Sequence, residues 1–150
     1  MSYIKASLPP EDLKTLINTY WISYQKLPKP TIIVANSEED LQVRFDMGNQ
    51  GDHIIIKTDG NENIKYRGNI SYVDRSYPLG LEIWTINGRQ RLRDIWKQVG
   101  IICLTHKWEF PNYQLIRLMS YTEMVNEEAN IWRGVIKLMV ESAGVCVAAL

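Results

Sequence analysis

Residues 70–103 read ISYVDRSYPLGLEIWTINGRQRLRDIWKQVGIIC, and in them a strand pattern runs directly into an amphipathic helix. The strand pattern centres on Leu81 and Ile83. Asn87 is followed three residues later by Gln90, which is a capping-box pattern and predicts the start of the helix. A strand that continues into a helix in this way is an architectural unit, and nothing in it is typical of catalysis.

The predicted helix has two different faces. Residues spaced by three and four form one apolar stripe, namely Leu92, Ile95, Trp96, Val99, Ile102 and Cys103. A second face carries three cations at four-residue intervals, namely Arg89, Arg93 and Lys97. Asp94 is the only acid between the first and the last of these cations. We expect Trp96 to lie at the centre of the apolar stripe, packed against the sheet that contains Leu81 and Ile83.

The segments on the N-terminal side predict a helix followed by strands. The helix starts at Pro9, where two prolines precede two acids, and it ends near Lys26, before Pro28. Its apolar side comprises Leu13, Leu16, Ile17, Tyr20, Trp21 and Tyr24. Strand patterns follow at 31–35, 53–57, 65–74 and 81–86, separated by polar turns at 36–40, 49–52 and 59–61 and by a bend at 77–80. Three consecutive isoleucines at 54–56 indicate a strand that is covered on both faces.

The C-terminal third predicts more strands. Residues 113–121 show an imperfect alternation that favours a strand, and the charged residues 123–130 favour a loop or a short helix. Residues 131–147 are rich in β-branched side chains and contain two glycines, which predicts a long strand with a bend or bulge. The whole pattern predicts an α+β fold in which a mixed or antiparallel sheet of five to seven strands packs against two main helices.

Length and composition restrict the class of protein. A chain of 150 residues suits a single domain over 1–150 that buries a core without disulfides or metal. The 17 basic and 17 acidic side chains cancel, so net charge does not favour binding to nucleic acid or to an anionic membrane. The N-terminus lacks a signal-peptide pattern, and no apolar run is long enough to cross a bilayer. Because Cys103 and Cys146 lie in apolar contexts, we expect reduced thiols in a protein made in the cytosol.

Two arrangements could carry chemistry. Cys103 and His106 have a C-x-x-H spacing, but the second half of a zinc site is missing and the cysteine lies on the apolar stripe. We therefore expect no metal at this pair. Several acids could hold metal ions for a nuclease reaction, namely Asp40, Asp46, Asp52, Asp59 and Asp74. The lysine that usually accompanies such acids is not evident, and aspartate is common in turns for backbone reasons. We expect a protein that is not an enzyme and needs no cofactor.

The order of elements and several short matches carry a resemblance to a known family. They are the strand at 52–57, Lys65-Tyr-Arg-Gly, Leu81-Glu-Ile-Trp-Thr, Gly88-Arg-Gln-Arg-Leu-Arg and Ile131-Trp-Arg-Gly-Val-Ile. Together they resemble the neck and tail-terminator proteins of tailed viruses, particularly those of archaeal tailed viruses and their proviruses. The resemblance covers most of the chain and rests on no catalytic signature.

The resemblance implies a structural virion protein whose subunits form a ring, most often of six. Such a ring caps the tail tube and joins it to the head-neck complex, so the implied partners are tail-tube and neck or head-completion proteins. The implied location is the tail or neck of the virion, after synthesis in the host cytoplasm, without a membrane. In such a ring, Arg89, Arg93 and Lys97 could face the lumen, close to genomic DNA or to the preceding neck protein. Three cations at this spacing repel one another weakly, and an anionic partner would offset that cost.

Two alternatives remain open from the sequence. One is another neck component, such as a head-closure or tail-tube-like protein. The other, from a different class, is a metal-dependent nuclease that uses the loop carboxylates. A solvated helix face is the ordinary interpretation of the three cations.

Overall fold

A computed structural model of the protein describes residues 8–21, 28–35, 51–66, 72–126 and 131–146. These ranges contain two helices and six strands: α1 (Pro9–Tyr20), β1 (Thr31–Val34), β2 (His53–Thr58), β3 (Asn63–Tyr66), β4 (Tyr72–Thr85), α2 (Arg89–Thr105), β5 (Leu115–Asn126) and β6 (Ile131–Cys146). The α+β class predicted from the sequence is confirmed.

The six strands form one mixed sheet. Its order is β1-β2-β4-β6-β5, and β3 pairs with β4 beside this path. β1 runs parallel to β2, and all other neighbours are antiparallel. β4 pairs with β6 along one side, and with β3 and then β2 along the other. β1 and β5 therefore lie at opposite edges of the sheet.

Both helices share one apolar core with the sheet. α1 contacts β1, β2 and β4, α2 contacts β4, β5 and β6, and the two helices touch each other. Alternate residues of the central strands point into this core, which includes Leu13, Ile17, Ile54, Ile56, Leu79, Leu81, Ile83, Leu92, Ile95, Val99, Ile136 and Leu138, all fully buried or nearly so. The apolar stripe predicted for α2 is thus confirmed as its buried side.

The capping box predicted at the start of α2 is wrong. The N-cap is Gly88, which makes no side-chain cap, and its φ of 95° is a conformation that glycine tolerates best. Asn87 instead donates a hydrogen bond from Nδ2 to Asp52 at 3.0 Å, and Gln90 donates to Asp94 at 2.9 Å. A tertiary contact therefore occupies Asn87 and a contact within α2 occupies Gln90, so neither side chain caps the helix.

The first helix is shorter than the sequence predicts. It begins at Pro9 as expected, with the N–H groups of Glu11 and Asp12 donating to the Leu8 carbonyl. It ends at Tyr20 rather than near Lys26, because Trp21 has an extended backbone with ψ of 121°. Tyr24, the predicted loop at 36–40 and the first half of the predicted turn at 49–52 lie outside the described residues.

Two strands are longer than predicted. β4 continues through Pro78, where a bend was expected, and β5 continues through 123–126, where a loop or short helix was expected. Pro78 is tolerated because its backbone faces the end of β2, where its carbonyl accepts from the Asp59 N–H and no ladder donor is needed. The bulge predicted in β6 lies at Ala143 and Gly144, which together oppose Asp74 of β4, and Gly144 has φ of 63°. A second irregularity lies in β5, where Met119 is the extra residue between Leu118 and Ser120.

Two further expectations concern the packing of the elements. β2 has four consecutive buried residues, so its coverage on both faces is confirmed. Trp96 lies at the border of the core and stacks on Tyr121 of β5, with ring centroids 4.5 Å apart. β5 belongs to the sheet that contains Leu81 and Ile83, so the predicted packing of Trp96 on this sheet is confirmed. The predicted place at the centre of the apolar stripe is wrong, because Trp96 is only partly buried. In the described ranges, neither helix has the length and apolar character needed to cross a membrane.

Candidate assembly surface

The side of α2 that faces away from the sheet forms a continuous exposed surface, which we call the α2 ridge. Its N-terminal half is basic and its C-terminal half is apolar. At 3.6 residues per turn, its helical members fall within about a third of the helix circumference. The ridge comprises Arg89, Arg93, Lys97, Ile101, Leu104 and, in the turn directly after α2, Trp108.

The basic half is partly neutralised within the chain. Glu123 of β5 lies between two of the cations, with its carboxylate 3.1 Å from Arg93 Nε and 3.7 Å from Arg89 Nε. The guanidinium of Arg89 also lies 5.1 Å from the centre of the Trp132 ring. The structure thus brings Arg89 and Arg93 together on one acid. Lys97 is exposed one turn further along the helix.

Glu123 is held in its charged form. The hydrogen bond from Arg93 is the largest cause that lowers the pKa of Glu123, and the hydroxyl of Tyr121 donates to the same carboxylate at 3.2 Å. The repulsion among the three cations therefore has an intramolecular counter-charge, and no nucleic acid is needed to offset it. Sequence reasoning missed Glu123 because residues 123–126 were not expected to continue β5 beside α2.

The apolar half consists of three large side chains without cover. Ile101, Leu104 and Trp108 are 58%, 61% and 66% exposed. The ammonium of Lys107 lies 4.9 Å from the centre of the Trp108 ring, so the indole keeps a cation on one face. Exposed apolar residues in a contiguous group are typical of a protein interface. This half of the ridge is the feature that the sequence pattern did not predict.

A second surface lies at the opposite edge of the sheet, where α1 and β1 border an open groove of about 470 Å³. We call it the α1–β1 groove. Its lining is half apolar and half polar, with Ile32, Ile33, Val34, Glu11, Lys14 and Thr15. A groove of this kind can accept an apolar side chain together with a charged one.

The outer edge of β1 adds hydrogen-bonding groups to this groove. The N–H groups of Thr31 and Ala35 donate to β2, so the odd-numbered residues of β1 face β2. The backbone groups of Ile32 and Val34 consequently point away from β2, towards the outer edge of β1. No described strand pairs with this edge, and carbonyl oxygens at an unpaired strand edge are ready acceptors for a partner's donors.

A buried ion pair holds the start of α2 in place. Arg91 Nε donates to Asp52 Oδ2 at 2.6 Å, and both side chains are less than a tenth exposed. Burial alone would raise the pKa of Asp52, but hydrogen bonds from Thr85, Asn87 and Arg91 lower it below the ordinary value. This contact ties the residue before β2 to the β4–α2 junction, so its role is structural.

The other face of the sheet contains a second buried charge. Glu82 is fully buried and pairs with Lys57 at 3.3 Å and with Arg133, while Trp84 Nε1 donates to it at 3.1 Å. Its three donors come from three strands, which fixes their register. The sequence signal was an acid within the apolar run Leu81-Glu-Ile-Trp.

The residues considered for metal or nucleophilic chemistry are used in packing. Burial raises the pKa of the Cys103 thiol to about 12, so the free thiol stays protonated at neutral pH. The His106 ring stacks on Tyr20 and contacts Glu109 through Nδ1. Asp74 accepts from the Gly144 N–H at 2.8 Å. Within the described ranges, no three His, Cys, Asp or Glu side chains converge on a possible metal position, and Asp40 and Asp46 lie outside those ranges.

Comparison with known proteins identifies a structural neighbour. No protein-family model matches the chain, and no curated protein sequence matches it. The fold is similar to that of a chain in a solved structure described as the virion of a native gene transfer agent (GTA) particle. The TM-score is 0.61, the sequence identity is 10%, and the match covers 95% of this chain and 100% of that chain. At this identity, the similarity shows a shared fold.

Proposed function

We propose that the protein is a structural virion protein, specifically a tail terminator whose copies form a ring of six that caps the tail tube and joins it to the head-neck complex. The observation that carries this proposal is the fold similarity to a chain of a virion particle. Because the match covers all of that chain, it concerns a complete fold rather than a widespread local motif.

The surface of the molecule supports an assembly role. A closed ring needs two different surfaces on each subunit, one for each neighbour. The α2 ridge and the α1–β1 groove are two such surfaces, associated with opposite edges of the sheet. The candidate metal ligands Asp52, Asp74, Cys103 and His106 are buried or engaged in structural contacts, an arrangement that favours a structural role over an enzymatic one.

The sharpest test is to assemble particles without this protein. We expect DNA-filled heads and tail tubes to accumulate separately, and addition of the purified chain to restore their joining. Particles that join normally without the chain would contradict the proposal. A matched control is the chain with Arg91→Met, in which loss of the buried pair should destabilise the protein and weaken the restoration.

The alternatives predict different outcomes. A tail-tube-like protein would occur in many stacked copies and its absence would remove the tail, whereas a terminator would leave the tube present. A nuclease would cleave DNA in the presence of a divalent metal ion. The buried and hydrogen-bonded state of Asp52 gives that last alternative no support.

The lumen position of Arg89, Arg93 and Lys97 remains part of the proposal. Replacing all three with glutamine removes three positive charges per copy and, in the ring, a band of charge near the genome. If the band faces DNA, the particles that assemble should lose DNA more readily, measured as genome content per assembled particle. Failure to assemble would instead place Lys97 at a contact between subunits. Particles that are filled and infectious would show that these cations need no anionic partner beyond Glu123.

A further inference from the structure

We infer that the apolar half of the α2 ridge seats in the α1–β1 groove of an adjacent copy of the same chain. This contact rests on the proposed ring and deepens it by naming the two surfaces that meet. Ile101, Leu104 and Trp108 of one copy are buried against Ile32, Ile33 and Val34 of the next.

The ridge needs a partner made of protein. Its three apolar side chains are more than half exposed, and phosphate or water cannot cover them favourably. Two of its three cations already share Glu123, which weakens any attraction to nucleic acid. A surface with one exposed lysine and three large apolar groups fits a groove that is half apolar and half polar and that has an exposed acid, Glu11, beside Lys14 on its polar side.

The α1–β1 groove offers that chemistry. Its apolar lining comes from β1, and Glu11 is exposed at its rim in the first turn of α1. Lys97 of the ridge can pair with Glu11, while the indole of Trp108 enters the groove. The Nε1–H of an inserted indole can donate to a carbonyl at the open edge of β1, where Ile32 and Val34 direct their backbone groups outward.

The positions of the two surfaces fit a ring rather than a closed pair. The ridge lies on α2, which packs on β4, β5 and β6, whereas the groove lies beside β1 at the far edge of the sheet. Contact between unlike surfaces leaves one ridge and one groove open after each addition. Further copies add through the same contact until the rotation between neighbouring copies closes the ring, as in a cyclic oligomer.

Photo-cross-linking in assembled particles tests this contact directly. A benzophenone amino acid replaces Trp108, and the cross-linked peptides are identified by mass spectrometry. We expect cross-links between copies that map to residues 31–34 or to the first turn of α1. The matched control carries the same group at Met119, which is 51% exposed on β5, and should give no cross-link to the groove.

Charge exchange gives a second, independent readout. Lys97→Glu or Glu11→Lys alone should weaken association of the copies at least about tenfold, and the double variant should restore it to within about threefold. Circular dichroism of each variant checks that the subunit is folded. The association constant is measured by native mass spectrometry, or by incorporation into particles if isolated copies do not associate.

The outcomes separate this contact from the proposed function. Rings that form normally, with cross-links that map elsewhere and no restoration in the double variant, would overturn the ridge-to-groove contact and leave the ring. Cross-links from Trp108 only to DNA or to a different protein would likewise overturn it. A wild-type chain present as a single copy per particle would refute the ring itself.

Discussion

At the scale of single residues, the ion pair between Asp52 and Arg91 takes the place of the helix cap that the sequence pattern predicted. The pair lies at the junction where the capping box was predicted, and it is buried on both sides. A charge removed from water in this way is costly unless its partner remains in place. Removal of one partner should therefore lower the stability of the whole domain.

We predict that Asp52→Asn lowers the free energy of unfolding by about 3 kcal/mol at neutral pH, near the lower end for a broken buried pair. Because the folded pKa of Asp52 is depressed, the stability it supplies is present above the unfolded pKa of about 3.9 and is lost as pH falls through the folded pKa. The difference between wild type and variant should thus shrink below about pH 4.

Urea unfolding at several pH values measures this difference. Asp59→Asn is a suitable control, because Asp59 is exposed in the turn after β2 and its only described role is a backbone N–H. A difference between wild type and Asp52→Asn that stays constant down to pH 2 would show that the carboxylate charge is not what stabilises the junction.

At the scale of secondary-structure elements, the packing of α2 on β5 depends on the stacked pair of Trp96 and Tyr121. Both rings are partly buried, and their planes are 5° from parallel. We predict that Trp96→Ala costs about 2 to 3 kcal/mol, less than for a fully buried tryptophan but including the loss of the ring pair.

Thermal unfolding of dilute protein gives this value. Trp96→Phe keeps a ring over Tyr121 and should lose clearly less stability than the alanine variant. Equal losses for the two variants would mean that the stacked pair contributes nothing beyond the volume it fills.

A glycine on β6 allows the same two elements to approach each other. A Cβ added at Gly134 would lie 2.7 Å from Cε2 of Tyr121 and 3.2 Å from Cδ1 of Leu92. We predict that Gly134→Ala destabilises the fold by about 1 to 3 kcal/mol, through displacement of the Tyr121 ring.

Gly100→Ala is the matched control, because a Cβ there would meet nothing closer than 3.9 Å and alanine favours the helix. In chemical unfolding, the control should be neutral or stabilising. A Gly134→Ala variant as stable as wild type would show that Tyr121 can move without cost.

The sequence predicted the features that depend on local periodicity. It missed the features that depend on contacts between residues far apart in the chain. The buried stripe of α2, the start of α1 and the long strand β6 follow from spacing and composition alone. β4 passes through Pro78 only because β2 ends opposite it, and β5 includes Glu123 only because two arginines of α2 neutralise it. The exposed apolar half of the ridge was not predicted either, because Ile101 and Leu104 lie on the helix face that begins with the cations.

At the scale of the whole molecule, one mixed sheet carries both helices and presents unlike surfaces associated with its two edges. This arrangement suits a subunit that repeats around an axis. The similarity to a virion chain covers 95% of this chain and 100% of that chain, and at 10% identity it shows the fold alone. The ring, its six copies and its place on the tail are the proposals that need measurement.

Cryo-electron microscopy of intact particles measures the proposed ring most directly. We predict one ring of six copies of this chain where the tail tube meets the neck, with α2 of each copy against the next copy. A single copy, many rings stacked along the tube, or particles that lack the chain altogether would contradict it.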